Sequence, residues 1–339
     1  MSLEKPLLHV VALLILILIL STGAAFLGQA GTSSASTTTT TIPQPQHQIP
    51  EKGTLQNICK THDLPNPLAS LFPNNATGVL NATLAIIPIP LSLARRLVNP
   101  SGYSILESAY RSLVPDFPEG MYPVLLQAAH DHDIQLRAYG IVLEDFSRVG
   151  FEFPFLDLSG DGYSSYRWAP AQLISAGNAI AIDGSRAYGT RVSPARFEPE
   201  CEAYQMLSNG NTYFKGLSVE YHNLEMTRLI SSSFSSGSPY SYPLDLFKNI
   251  TNQPIFASPG GSCDNMIRVF DTSMSRGMFA PVPVRGRVKA VNVFPRGGQR
   301  GWEWTDVYGV QVATPFIENN YLDCEMMRGY QGRAADQSR

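Results

Sequence analysis

Lysine is scarce in this chain. Its 339 residues carry it only at Lys5, Lys52, Lys60, Lys215, Lys248 and Lys289. Charged residues make up 16% of the chain and the net charge is −3, with no Lys/Arg cluster and no basic stripe interleaved with aromatics. That excludes the electrostatic footprint of a nucleic-acid binder. The four cysteines show no Cys-x-x-Cys spacing, so a thiolate zinc site is not expected. There is no Gly-x-Ser-x-Gly elbow for a serine nucleophile. Gly297-Gly298-Gln299-Arg300-Gly301 is glycine-rich, but no helical pattern follows it, so it reads as a hairpin loop and not as a phosphate cradle. No cofactor and no metal is called for.

What is present points first to a compartment. Leu7 to Leu20 is apolar apart from His9, Lys5 flanks it, and Gly28-Gln29-Ala30 offers small residues for cleavage. Residues 1–30 therefore read as a signal peptide or, since about 22 residues suffice to span a bilayer, as an uncleaved signal anchor. Residues 31–50, with Thr37 to Thr41 unbroken and prolines beyond, have the composition of a Ser/Thr/Pro-rich stalk that cannot bury a core. Either reading places the folded part in the secretory pathway, lumenal or extracellular, with a membrane as partner only through the uncleaved segment. Asn75, Asn81 and Asn249 head Asn-x-Thr sequons, the acceptor pattern for glycosylation. Cys59, Cys201, Cys263 and Cys324 are an even set suited to two disulfides in an oxidising lumen, with three pairings open.

The fold expected is mainly β with minor α. Residues 51–120 read as a helical or irregular lead-in, because Pro88 and Pro90 interrupt the apolar run and Leu91–Val98 and Tyr103–Leu113 have helical spacing. From Tyr122 short strand-like runs follow one another: 122–129, 134–143, 149–158, 163–169, 178–182, 212–229, 266–270, 285–294 and 307–312. Pro154 marks an edge or bulge. Such a succession with few helices predicts an antiparallel barrel or double sheet over residues 121–327, with residues 328–339 as a frayed tail.

Three polar groups stand out. His130 and His132 alternate within His-Asp-His-Asp, so on a strand they share a face. They suit proton transfer, or a metal if His222 or Glu220 joined them, while the neighbouring aspartates also fit a turn. Glu152 lies between Phe151 and Phe153, and burial there would fit it for general acid or base work. Arg186, Arg191 and Arg196 crowd one short segment with Tyr188, a set able to hold a carboxylate.

That last segment, Ala179 to Phe197, carries a family resemblance. Asn178–Ile182 reads as a buried strand that turns at Gly184 and passes Tyr188-Gly189 toward Pro194. The layout resembles the active-site segment of acetoacetate decarboxylase-like proteins, in which a strand leads to Gly-Arg-Glu, a small or aromatic pair and Pro-Lys-Lys. Val149-Gly150-Phe151-Glu152 is similar to the family's Gly-x-Tyr-x-Glu strand, which puts Glu152 on the pocket glutamate. Counted from Gly184 without a gap, the family's two lysines fall on Val192 and Ser193; aligned on the proline they fall on Ala195 and Arg196. The resemblance implies a β-barrel enzyme, a tendency to homo-oligomers and a small carboxylate or keto substrate. The missing lysine removes the imine, because arginine stays protonated and is no nucleophile near neutral pH. Lys215 and Lys289, on strand-like runs, are the replacements to examine. The expectation is an enzyme of lyase or isomerase/cyclase type acting on a small keto acid or polyketide-like metabolite without the family lysine, or else a non-catalytic ligand-binding barrel.

Overall fold

The computed structural model describes residues 65–98, 102–219, 227–237, 239, 241–258, 260–277, 280–294 and 301–331. The leader and stalk, Cys59, Glu220, His222, Lys5, Lys52 and Lys60 lie outside the described residues. No helix among the described residues is long and apolar enough to cross a membrane.

Fifteen strands follow in chain order: β1 Ala76–Pro90, β2 Ser104–Ile105, β3 Met121–Leu136, β4 Ile141–Leu143, β5 Phe146–Asp157, β6 Tyr166–Trp168, β7 Ala171–Ser175, β8 Arg191–Glu198, β9 Gln205–Met206, β10 Thr212–Ser218, β11 Leu229–Ser236, β12 Ile255–Phe256, β13 Cys263–Arg268, β14 Val282–Val291 and β15 Gly301–Leu322. Their pairings close twice. One ring runs β5-β7-β8-β10-β11-β14-β15-β1-β3 and returns to β5; the other runs β5-β6-β12-β13-β15-β1-β3 and returns to β5. The two barrels share the wall β5-β3-β1-β15, and closure leaves that wall without a free edge. The expected mainly β, barrel-type architecture is therefore present, with one refinement. β7 pairs β8 and β12 pairs β6 in parallel, so the sheet is mixed and not wholly antiparallel.

Because a wall residue's neighbours alternate in facing, one shared wall supplies two different interiors. Register puts Glu152 with Leu125, Arg148 with Ala129 and Glu318 with Met266 on one face. It puts Phe151 with Leu126, Ser147 with His130, and Gln311 with Thr83 on the other. Contacts across each barrel identify the faces. Gln311 reaches over to Thr212 on β10 at 2.8 Å, and a Cβ at Gly216 on β10 would meet Val149 on β5 at 3.0 Å, so the second face lines the larger ring. Arg148 on β5 approaches the Met266 sulfur on β13 at 3.6 Å, so the first face lines the smaller ring.

Three expectations are corrected. The lead-in contributes the central strand β1. Pro88 and Pro90 do not break it, since pairing with β15 ends at Ile86 and the last residues need only β3; proline is tolerated where one side of a strand carries no ladder. The expected helices do follow, at Leu91–Val98 and Glu107–Leu113. Second, Asn178–Ile182 is not a strand: Ala179–Ala187 is helical, capped by the Asn178 side chain, which accepts from the Ala181 N–H at 2.9 Å. The reason is topological, because parallel neighbours β7 and β8 need a crossover. Third, the tail is packed through Gln331. Tyr330 is buried, its carbonyl accepts from Ser165 N–H, and Gln331 O accepts from Asn249. Pro154 behaves as expected, within a bulge between Phe153 and Leu156.

Candidate active site

The smaller ring is filled with charge. Arg167 on β6, Arg268 on β13 and Arg148 on β5 project into it with Asp131, Glu152, Asp264 and Glu318. Arg167, Arg268, Glu152 and Asp131 are 0%, 1%, 2% and 1% exposed, so these are true interior charges. Buried ions persist only when paired or hydrogen-bonded. Arg148 satisfies this with a two-pronged contact to Asp131 at 2.7 and 3.0 Å. The other two guanidiniums do not. Arg167 Nη1 lies 2.9 Å from Glu152 Oε2, close enough for an ion pair, yet misaligned for a hydrogen bond, so all three Arg167 nitrogens lack a hydrogen-bond acceptor. Arg268 Nη2 donates to Gln127 Oε1, whereas its Nε and Nη1 have no acceptor, and no carboxylate among the described residues pairs with it. Burial, with Arg167 and Arg148 nearby, pulls the Arg268 guanidinium down to about 9. Burial likewise lowers Arg167, opposed by Glu152 and Asp264.

The fourth carboxyl changes the balance. Asp264 and Glu318 are hydrogen-bonded to each other, and burial together with Glu318 pushes the Asp264 carboxyl well above the carboxylate range. Two adjacent acids in low dielectric keep one proton between them. With Asp264 neutral, three guanidiniums face three carboxylates. The cluster then holds no net charge but keeps several N–H groups without acceptors, the chemistry of a site for a small anion.

Of the residues singled out in the sequence, Glu152 and Tyr188 belong to this site. Tyr188 follows the helix Ala179–Ala187; its hydroxyl donates to Asn320 Oδ1 at 2.6 Å and accepts from Tyr321 N–H at 3.0 Å, and its ring stacks on Tyr321 with centroids 4.8 Å apart. Burial, then the neighbouring Asp264–Glu318 acid pair, raises its pKa. The three arginines do not converge. Arg186 is half exposed and lies 3.8 Å from Asp183 on its own helix. Arg196 is exposed on the outside of β8. Arg191 lines a separate, shallow cleft at the larger ring, among Val149, Phe151, Arg228 and Phe294.

Of the positions on which the family's lysines fall, Val192 and Ala195 are buried apolar residues, Arg196 is exposed, and Ser193 is buried in the larger ring, where Arg228 Nη1 donates to its hydroxyl at 2.6 Å. Lys215 and Lys289 point outward and pair with Glu198 at 3.0 Å and Glu303 at 3.3 Å. The hydrogen bond to Glu198 raises the Lys215 pKa, the opposite of what an imine-forming amine needs. Lys248 is a helix residue beside Asp245.

His130 and His132 do share a face, at 0% and 1% exposure, with ring centroids 6.4 Å apart. The aspartates beside them make no turn, since β3 runs unbroken past them, and Asp133 takes the left-handed conformation (φ 51°) within it. They sit in the larger ring, across the wall from Glu152. His130 Nδ1 is 2.9 Å from the Ser147 hydroxyl, and burial, aided by His132, pulls its pKa down to about 4, so it is neutral near pH 7. No group of three metal-ligating side chains occurs among the described residues. These two histidines therefore do not join Glu152 in one catalytic group.

Two sequons are closed in this fold. Asn81 lies 6% exposed within β1, and Asn249 is 7% exposed with its amide nitrogen donating to Gln331 O at 2.6 Å. A glycan on either nitrogen would have to displace interior packing. Asn75 is half-buried and bonds to Asn319 at 3.0 Å. Of the cysteines, Cys263 and Cys324 form a disulfide that ties the start of β13 to the residues after β15, and Cys201 is also disulfide-bonded.

Sequence reading missed Arg167, Arg268, Asp264, Glu318 and Gln127. A signal existed: Asp264, Met266 and Arg268 alternate along one strand, as do polar and apolar residues in Tyr-Arg-Trp at 166–168. It identifies a charged strand face, but not that the face is interior.

No family model matches this chain, and no curated protein matches it. Solved structures similar to it include two of acetoacetate decarboxylase-like fold. One is the enduracididine biosynthesis enzyme MppR complexed with the condensation product of pyruvate and imidazole 4-carboxaldehyde, at 8% identity and TM-score 0.37, covering 72% of this chain and 86% of that one. The other is an acetoacetate decarboxylase-like enzyme from Sphingomonas wittichii RW1, at 10% identity and TM-score 0.38, covering 77% and 97%.

Proposed function

We propose that this chain is an enzyme of the secretory pathway, with an acetoacetate decarboxylase-like fold, that binds a small keto acid inside the smaller ring and converts it through an enolate without forming an imine. The observation that carries this reading is the pair of buried guanidiniums, Arg167 and Arg268, with N–H groups lacking acceptors beside a carboxyl pair that keeps a proton. One guanidinium holds the substrate carboxylate and the other faces the carbonyl oxygen, where charge grows as the enolate forms. Fixed cations aimed at developing charge in a dry interior are a strong form of electrostatic catalysis. Decarboxylation of a 3-oxo acid, isomerisation and cyclisation all use such an enolate, and the reaction is proposed to serve biosynthesis. The Cys263–Cys324 disulfide supports an oxidising compartment.

The test is turnover of a panel of 2-oxo and 3-oxo acids with borohydride added during reaction. Product formation that borohydride leaves unchanged, with no mass adduct on the protein, is expected. A lysine adduct with loss of activity would overturn the imine-free mechanism. Tight binding with no turnover across the panel would leave a ligand-binding barrel in its place.

A further inference from the structure

We infer that Asp264 is the proton donor that quenches the enolate, held in place by a hydrogen-bonded chain through Glu318, Asn320 and Tyr188. This rests on the enolate reading of the same site. Asp264 shares one strand face with Arg268, four residues on, and its Oδ1 is buried without a hydrogen-bond partner, so one carboxyl oxygen is uncommitted within the ring. The other edge meets Glu318 on β15. Glu318 in turn accepts from the Asn320 side chain, and Asn320 Oδ1 accepts from the Tyr188 hydroxyl. Glu318 accepts from both Asp264 and Asn320, which favours its ionised form, and the proton of the pair rests on Asp264.

The groups facing Asp264 are Glu318 on β15, Arg148 on β5, Arg167 on β6, and Tyr188 and Tyr321 at the rim. Burial and Glu318 favour its neutral form, while Arg148 and Arg167 oppose them.

In a decarboxylation the bond between the α carbon and the carboxyl carbon breaks, and its electron pair passes into the enolate as CO2 leaves. The Asp264 O–H gives its proton to the enolate carbon, the carbonyl re-forms, and Asp264 is left as a carboxylate. A solvent proton restores it, so one proton is consumed for each CO2 released. Tyr188 and Asn320 are positioning residues in this scheme, since they touch Glu318 and not the substrate.

The experiment uses the full chain and Asp264→Asn, which keeps shape and a donor toward Glu318. Turnover of 3-oxobutyrate is followed by CO2 release from pH 6 to 10, and binding of 2-oxobutyrate by calorimetry. In the unaltered chain, activity is expected to fall on the alkaline side as Asp264 ionises. In Asp264→Asn, kcat is expected to drop about a hundredfold or more, with the alkaline limb due to Asp264 gone and only the fall near 9 that discharges Arg268 remaining, and with 2-oxobutyrate affinity at neutral pH within about threefold. A readout independent of turnover is the infrared carbonyl band of a protonated carboxyl at neutral pH, expected in the unaltered chain and absent from Asp264→Asn. Near-normal kcat with an unchanged pH profile, or no such band in the unaltered chain, would overturn the assignment while leaving carboxylate binding in place. Failure of the unaltered chain to bind 2-oxobutyrate would instead remove the underlying reading, and this assignment with it.

Discussion

Replacing Glu152 with glutamine is expected to destabilise the fold by about 3–5 kcal/mol, because it strips the carboxylate from a fully buried guanidinium. Arg167 is 0% exposed and Glu152 is its one ion-pair partner among the described residues. Glutamine preserves the shape of the side chain but not its charge, so Arg167 is left with a desolvated cation and no counter-ion. Urea unfolding at pH 7 measures the loss. The double variant Glu152→Gln/Arg167→Met should recover most of it, since removing both members of a buried pair is far milder than removing one. A loss under about 1 kcal/mol in Glu152→Gln would mean that the pair is solvated and that the smaller ring is not dry. The result also bears on the role expected of Glu152 from sequence. The expectation placed it between two phenylalanines as an acid or base. In the structure Phe151 and Phe153 point to the opposite face, and what Glu152 meets is a guanidinium. It holds Arg167, and its loss is expected to weaken 2-oxobutyrate binding through that contact.

Arg268→Met is expected to do the opposite to stability. A guanidinium held at about 9 in place of its ordinary 12.5 costs a few kcal/mol at neutral pH. The unbranched methionine side chain fills a similar path without a charge. The melting temperature is therefore expected to rise by several degrees. Affinity for 2-oxobutyrate should fall by about a hundredfold or more, since a charge-assisted contact to the carboxylate or carbonyl is lost. Gain of stability with loss of binding is the signature of a group retained for a ligand. If Arg268→Met destabilised the chain and left affinity unchanged, the guanidinium would be structural, paired with something the fold itself supplies. Calorimetry and thermal unfolding on the same preparations separate the two.

How much of this was legible in the sequence differs by feature, for physical reasons. The β architecture was, because period-two runs punctuated by Gly and Pro have few other folded solutions. The double closure was not: which strands pair depends on contacts hundreds of residues apart, such as Ala76 with Glu318. Asn178–Ile182 misled because alternating Ala and Ile suits a strand or a short helix equally, and only the parallel pairing of β7 with β8 decides between them. His130 and His132 were correctly placed on one face, yet on the face turned away from Glu152. A shift of one residue along a shared wall moves a side chain from one barrel interior to the other. The same parity scattered Arg186, Arg191 and Arg196, adjacent in sequence, to a helix surface, a cleft and the outside of β8. The site's own arginines come from three strands, β5, β6 and β13, with Arg167 and Arg268 about a hundred residues apart, which no local motif links.

The most direct test of the central claim is a crystal structure of the full chain soaked with 2-oxobutyrate. The account predicts its carboxylate within hydrogen-bond distance of Arg167 or of Nε or Nη1 of Arg268, inside the smaller ring. Density at Arg191 and Arg228 in the larger-ring cleft, with the smaller ring empty, would contradict it.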